Sequence, residues 1–314
     1  MYIGIDLGGT NIAAGVVDET GHIIYKSSVL TLAQRPIDEI VEDMANLCID
    51  VVNGADRQIS EIRSVGVGCP GTVDNKSGVI AYSCNLKMKN TELRAMLEKK
   101  LGKPVNLEND ANAAALGEYA VNGDNADSFV LITLGTGVGG GVIIDGKPYR
   151  GFNCAGGELG HIIINAEGEE ECSCGNKGCW EAYASANALI RMTKEAIMNE
   201  NAEFSYMLKS VGGDINKVNG KTPFDAMLAG DATGKEVINK YIGYLATGLV
   251  NIVNIFQPDI ICIGGGVCRQ GENLLAPVRA IVEKERITKY NEKQTVICTA
   301  SLGNDAGIIG AAML

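Results

Sequence analysis

The chain has 314 residues, 46% of them hydrophobic, and a formal net charge of −11. That acidity, with no cluster of Lys and Arg, excludes a face for nucleic-acid phosphates, so no nucleic-acid partner is expected. No run of about eighteen uncharged apolar residues occurs, which excludes a membrane span, and the length allows two domains of ordinary size.

The first strand is predicted over Tyr2–Asp6, with no basic region and apolar run ahead of it, so no signal peptide is expected. Ten cysteines without secretion then read as reduced thiols and metal ligands of a cytoplasmic protein. The strand enters the turn Gly8-Gly9-Thr10-Asn11, and a second strand over Ile12–Val17 ends at the turn Asp18–Gly21. Pro36–Asn53 reads as an amphipathic helix with Ile37, Ile40, Val41, Met44, Leu47 and Val51 on its apolar face. A strand from Ser64 runs into a glycine turn that ends at Gly71, and Thr91–Leu101 is a short charged helix. The strand Val105–Leu107 precedes Asn109-Asp110-Ala111, which opens an alanine-rich helix; an Asp at such a start is ordinarily a cap.

Phe129–Leu134, the turn Gly135-Thr136-Gly137 and the strand Gly141–Ile144 repeat the opening hairpin. Glu167–Glu171 reads as a solvated acidic loop. Trp180–Asn199 reads as one long helix, 210–223 as a loop, and Lys235–Phe256 as a helix that stops before Pro258. The strand from Ile260 enters Gly264-Gly265-Gly266, and the strand Thr295–Thr299 leads to Asn304-Asp305-Ala306 at the start of a last helix.

These landmarks recur in one order: hairpin, strand into a glycine turn, strand into Asn-Asp-Ala. The pattern predicts an internal duplication and an α/β fold of two domains around a cleft. The domains are expected at 1–115 plus the C-terminal helix 303–314, and at 116–302. Two glycine hairpins facing that cleft suit a polyphosphate, because glycine permits close backbone approach and turn amides point at phosphate oxygens. Thr10, Asn11 and Thr136 add side-chain donors, and Asp6 is placed to hold Mg²⁺ through water. The plainer reading of each loop alone is a tight hairpin. A dinucleotide site is unlikely, since neither Gly66/Gly68/Gly71 nor Gly135/Gly137/Gly140 opens a helix.

One of only two histidines, His161, lies eleven residues before Cys172-Ser173-Cys174-Gly175-Asn176-Lys177-Gly178-Cys179. His161, Cys172, Cys174 and Cys179 make a closed Cys₃His set for structural zinc, with no position left for water. Clustered buried thiols are the alternative, but this spacing follows neither a helix nor a strand. Most Glu side chains are surface charges; Glu158 and Glu181 stand apart because they flank the four ligands, which would hold them in place.

The whole chain resembles the ROK family of sugar kinases and repressors. The carriers are Asp6–Thr10, Gly68–Asp74, Glu108–Asn112, Leu134–Gly141, the Glu158/His161 segment, the cysteine knuckle with Glu181, and Ile263–Val267. The resemblance implies a duplicated, actin-like (ribonuclease H-like) ATPase fold and ATP-dependent phosphorylation of a hexose 6-hydroxyl, glucose first among the candidates. It implies that Asp110 is the general base, and that Gly71, Asn85, Asn109, Glu158, His161 and Glu181 bind the sugar with it. His161 would use the ring nitrogen not on zinc. Asp6, Gly8, Gly9, Thr10, Asn11, Gly135, Thr136 and Gly137 would serve the ATP phosphates, with Gly265 and Gly266 beside the adenosine. Zinc, Mg²⁺ and ATP are the implied bound species, and a homodimer or homotetramer the implied assembly. Another hexose or an N-acetylated amino sugar stays open, because Cys69 stands where a small or apolar residue is usual and the Cys84–Met88 stretch lacks the tryptophan many relatives carry near position 88; polyphosphate as donor stays open because a related kinase uses it. A repressor of this family would carry a helix-turn-helix ahead of the first strand, and a non-catalytic sugar-binding protein would need neither Asp110 nor paired loops.

Overall fold

The computed structural model describes residues 1–123, 126–199 and 205–314. Contacts divide the chain into two compact units. The first is Met1–Leu131, Gly141–Gly157 and Ser301–Leu314; the second is Ile132–Gly140 and Glu158–Ala300.

The first unit begins with β1 (Tyr2–Leu7), β2 (Asn11–Val17), β3 (Ile23–Leu30) and α1 (Ile37–Gly54), then β4 (Val65–Cys69). Three short strands follow, β5 (Thr72–Asp74), β6 (Val79–Ser83) and β7 (Met88–Thr91), then α2 (Leu93–Leu101), β8 (Val105–Asn109) and α3 (Asp110–Asn122). Strands β9 (Ser128–Leu134) and β10 (Val138–Ile144) carry residues of both units, and β11 (Lys147–Pro148) returns to the first. The expected boundary at 115 therefore falls inside α3, a continuous helix that belongs wholly to the first unit.

The second unit carries α4 (Trp180–Ala184), α5 (Ala186–Asn199), α6 (Tyr206–Ser210), α7 (Thr222–Leu228) and α8 (Ala232–Phe256). It continues with β12 (Ile260–Gly264), α9 (Glu272–Glu285) and β13 (Val296–Thr299); α10 (Ala306–Ala312) then closes the first unit. Among the described residues no helix is long and apolar enough to cross a membrane.

The two main sheets have matching orders, β3-β2-β1-β4-β8 and β11-β10-β9-β12-β13. In the first, β1 pairs antiparallel with β2 and parallel with β4, and β4 pairs parallel with β8. In the second, β12 pairs parallel with β13. The repeat of hairpin and parallel strands is thus a repeat of structure. The apolar face of α1 lies where its periodicity puts it: Ile40, Val41, Met44, Leu47 and Val51 are buried with Ile3, Ile5, Val65 and Val67 of the sheet. Burial of each such side chain contributes about 1.5–3 kcal/mol.

Several elements differ from the sequence expectation. The helix over Trp180–Asn199 breaks at Ser185, which is extended and whose hydroxyl accepts the Ala188 amide to start α5. The 210–223 loop contains one helical turn at Ile215–Lys217 and the start of α7. The strands β3 and β5–β7 and the helix α9 have no counterpart in that reading. Their periodicity is interrupted: Pro277 sits inside α9, and β3 is mostly exposed.

Helix α10 packs on β1, β4 and α3 at backbone contact. A Cβ on Gly4 would lie 1.8 Å from the Ile308 carbonyl oxygen, and one on Gly310 would lie 1.6 Å from that of Ala113. No side chain fits either place, so only glycine allows the approach. Gly310→Ala is expected to destabilise the protein by about 1–3 kcal/mol or more, since backbone must move. Gly243→Ala, in α8 with open space around it, is expected to be neutral or to stabilise by about 0.5–1 kcal/mol. Thermal melting of the two variants checks both signs.

Candidate active site

In the first unit the decisive place is the junction of β8 and α3. The helix cap is Asn109, not Asp110: the Asn109 side chain accepts the amides of Ala111 and Asn112 at 2.9 and 3.2 Å. Asp110 is the first helical residue, and its carboxylate accepts the Ala111 amide at 2.9 Å, with its own amide and the Asn109 side chain as further donors. The capping role expected of an aspartate here has moved one residue upstream, which leaves Asp110 available for other work. The Asn109 amide nitrogen donates to the Gly71 carbonyl at 3.2 Å. Gly71 has φ +105°, and a Cβ there would meet the Tyr82 carbonyl at 2.2 Å.

A buried carboxylate stands behind this junction. Glu108 is 2% exposed. It pairs with Arg150 at 2.6 Å and accepts from the Asn112 side chain at 3.1 Å and the Asn109 amide at 3.0 Å. Glu108 and Arg150 escaped the sequence reading, which had no means of joining residues so far apart. Asp110 itself is raised above the usual carboxylate range by burial, against hydrogen bonds from its surroundings. Asp6 is raised from 3.8 to about 6, first by burial and then by the charge of Asp110.

The first glycine turn is tight, with the Gly8 amide donating to Asn11 at 2.9 Å. Buried Thr31 holds it from behind, its hydroxyl donating to the Gly8 carbonyl at 2.6 Å and its amide to that of Thr10 at 2.8 Å. Asn85 lies against the turn; a Cβ on Gly9 would sit 3.3 Å from the Asn85 Cβ. Asp305, the counterpart of Asp110 in the repeat, caps nothing; it pairs with Lys26 at 2.5 Å.

In the second unit the turn Gly135–Gly137 closes through the Gly135 amide and Gly137 carbonyl at 3.0 Å. A Cβ on Gly137 would fall 2.1 Å from Glu181 Oε2, so glycine here is what admits the carboxylate. Glu181 Oε2 accepts the Val138 amide at 3.0 Å and Oε1 accepts the Ser173 hydroxyl at 2.7 Å. Oε1 also accepts the Cys172 thiol at 3.4 Å, so Oε2 is the oxygen that keeps a lone pair for a further donor. Thr136 and Glu158 are exposed, Glu158 at the head of the turn Leu159–His161. Gly265, at φ +97°, is pressed on the Leu134 carbonyl, which sets the Gly265-Gly266 turn beside the end of β9. Of the acidic run Glu167–Glu171, Glu169 pairs with Lys177 at 2.6 Å and Glu170 with Arg191 at 2.5 Å.

His161, Cys172, Cys174 and Cys179 converge, with one ligand atom from each inside a 4.8 Å span. Cys174 Sγ lies 3.7 Å from Cys179 Sγ, and Cys172 Sγ lies 3.5 Å from His161 Nδ1. Tetrahedral zinc with bonds of about 2.3 Å to sulfur and 2.0–2.1 Å to nitrogen has edges of about 3.8 and 3.5 Å. The donor set therefore fits zinc in both chemistry and size. Nδ1 faces the sulfurs, which leaves Nε2 of His161 for another partner.

The ROK family model matches residues 2–314. This chain belongs to the ROK family. It is 36% identical to the glucokinase of Thermotoga maritima over 318 residues, covering 99% of this chain and 96% of that one. It is similar to the crystal structure of a ROK family glucokinase from Streptomyces griseus in complex with glucose and AMPPNP, with TM-score 0.80 and 35% identity over 99% and 98% of the two chains. It also resembles a ROK hexokinase from Thermus thermophilus, with TM-score 0.82 and 31% identity over 99% and 96%. The fold is accordingly the duplicated actin-like α/β fold of ROK sugar kinases.

The Asp6 shift has a stability consequence in this ROK chain. A carboxyl that titrates at about 6 folded and at 3.8 ordinarily binds its proton more tightly in the folded state. Its ionisation thus costs stability in full above the folded value, and the cost vanishes as pH falls below the ordinary one. Asp6→Asn is expected to melt higher than the parent at neutral pH, with the gain shrinking steadily under acidification towards the ordinary range. Melting curves across that pH window measure it; a gain that does not change with pH would refute the assignment.

Proposed function

We propose that this chain transfers the γ-phosphoryl group of ATP to the 6-hydroxyl of a hexose, with glucose the leading substrate. The observation that carries the reading is the β8–α3 junction, where Asn109 takes the cap and a half-buried Asp110 is left with a raised proton affinity. A base of that kind is suited to take the hydroxyl proton as the oxygen attacks phosphorus, while most of the remaining work is positioning and charge stabilisation. The full-length likeness to glucokinases supports the choice of substrate.

In this reading Asn109, Gly71 and Asn85 orient the sugar together with Asp110. Glu158, Glu181 and His161 Nε2 accept or donate at its other hydroxyls. The amides of Gly8–Asn11 and Gly135–Gly137, with the hydroxyls of Thr10 and Thr136, bind the ATP phosphates, and Gly265-Gly266 borders the adenosine. Asp6 would hold Mg²⁺ through water, and the chemistry such an ion would supply there is neutralisation of phosphate charge. Zinc on His161 and the three cysteines fixes the histidine tautomer and the knuckle that bears Glu181. A cytoplasmic homodimer or homotetramer belongs to the same reading, with Asp110 in the first unit and the zinc ligands in the second.

The test is ADP release with MgATP against glucose, mannose, fructose, allose, N-acetylglucosamine and N-acetylmannosamine, with polyphosphate as a second donor. Turnover on glucose is expected, with kcat of Asp110→Asn lower by about 10²–10⁴-fold and an acid limb in kcat/KM above the ordinary carboxylate range. Turnover on an acetamido sugar alone keeps the mechanism and changes the substrate. No turnover on any sugar by folded, zinc-loaded protein overturns the kinase reading. A second experiment concerns the metal. Elemental analysis is expected to find one zinc per chain, and a strong chelator to lower the melting temperature, with recovery on adding zinc. A zinc-free protein with unchanged melting would remove the metal from the account.

A further inference from the structure

The second unit contains a cavity of about 350 Å³ between α9 and β13, lined by residues that include Arg279, Glu283, Arg286, Gln294, Thr295 and Cys298. No residue of the proposed kinase site is among them. Two side chains on this wall are chemically incomplete. Arg286 is 7% exposed, and its Nε is buried without a hydrogen-bond partner. No carboxylate among the described residues forms an ion pair with it. A buried guanidinium without a counter-charge is costly, so proteins ordinarily pair one.

Gln294 supplies the second gap. Its Nε2 donates to the carbonyls of Thr288 and Asn291, at 2.8 and 2.5 Å. Two carbonyls on that atom fix the amide's orientation, since an oxygen there would have nothing to accept. The opposite atom, Oε1, is buried with no donor. Arg279 completes the wall in a settled state: its Nε donates to the Ile297 carbonyl at 2.8 Å and Nη1 to Glu272 at 2.8 and 3.0 Å. Glu283 is exposed, so its charge is screened at the rim rather than set against Arg286.

A buried cation lacking an acceptor and a buried acceptor lacking a donor, on one cavity wall, describe a ligand. It must carry an anionic oxygen for Arg286 and an O–H for Gln294 Oε1. We propose that the α9–β13 cavity is a binding site for a small hydroxyl-bearing oxyanion, namely hydrogen phosphate or a phosphate monoester whose alcohol part carries the hydroxyl. The volume admits either. The proposal stands apart from the kinase reading, because no atom of it lies in that site.

The test is calorimetric titration of the zinc-loaded full chain with inorganic phosphate, glucose 6-phosphate and sulfate, beside Arg286→Met and Gln294→Leu. Phosphate is expected to bind the parent, and Arg286→Met to weaken it by about tenfold or more, the effect of losing a charge-assisted hydrogen bond. Sulfate lacks an O–H at neutral pH, so the parent is expected to prefer phosphate to sulfate, and Gln294→Leu to erase that preference. Tighter binding of glucose 6-phosphate than of phosphate, lost in Arg286→Met, assigns the site to the monoester; equal binding assigns it to the free ion. A crystal soaked in phosphate is expected to show density against Arg286. Indistinguishable titrations for the parent and both variants overturn the proposal, as does phosphate density confined to the glycine hairpins. If Arg286→Met fails to fold, Gln294→Leu with the phosphate–sulfate comparison decides the matter alone.

Discussion

Asn109 caps α3, and that one set of hydrogen bonds decides what its neighbour does. The first turn of a helix has amides to satisfy, and an aspartate there would normally be consumed by them. Because the Asn109 oxygen takes two of these amides, the Asp110 carboxylate is not spent on the cap and stays half-buried and raised in proton affinity. The cap is itself held: Asn109 donates to Gly71, and Glu108 accepts the Asn109 amide while paired with Arg150. A buried carboxylate is stable only with such partners. Glu108 thus anchors the junction that holds the Asn109 cap and the Asp110 carboxylate beside it.

The second unit uses the same economy with different groups. Glu181 is bonded to the amide of Val138 and the hydroxyl of Ser173, so the strand after the glycine turn and the cysteine knuckle share one side chain. Gly137 makes room for it. A metal on the four ligands would stiffen the knuckle and, through Ser173, the carboxylate. In the proposed reaction, a structural ion with no open coordination position would act by fixing ring and carboxylate geometry rather than by touching a reacting atom.

Among the described residues Arg35 Nε, Ser83 Oγ and Tyr183 Oη are also buried without a partner, but none of these residues lines the α9–β13 cavity. Arg286 and Gln294 sit together on a cavity wall with one unmet valence each, and the two valences are of opposite kind. Burial penalties of that sort persist in a stable fold when something outside the chain meets them.

Much of the molecule was legible from the chain alone. Period-3.6 apolar spacing fixed α1, the glycine hairpins marked both repeats, and the Cys₃His spacing named four ligands before any coordinates, because each of these signals is local. Asp110 as a base and the sugar and phosphate roles came through family resemblance, which the full-length match to ROK proteins supports at the level of family and fold. Tertiary structure alone decided the rest. Whether Asp110 or Asn109 caps α3 depends on a carboxylate's burial, and Glu108 finds Arg150 forty-two residues away. The Asp305–Lys26 pair likewise arises between segments distant in sequence. Sequence carries periodicity and spacing; it does not carry which buried polar groups meet, and that is where the chemistry of this protein is set.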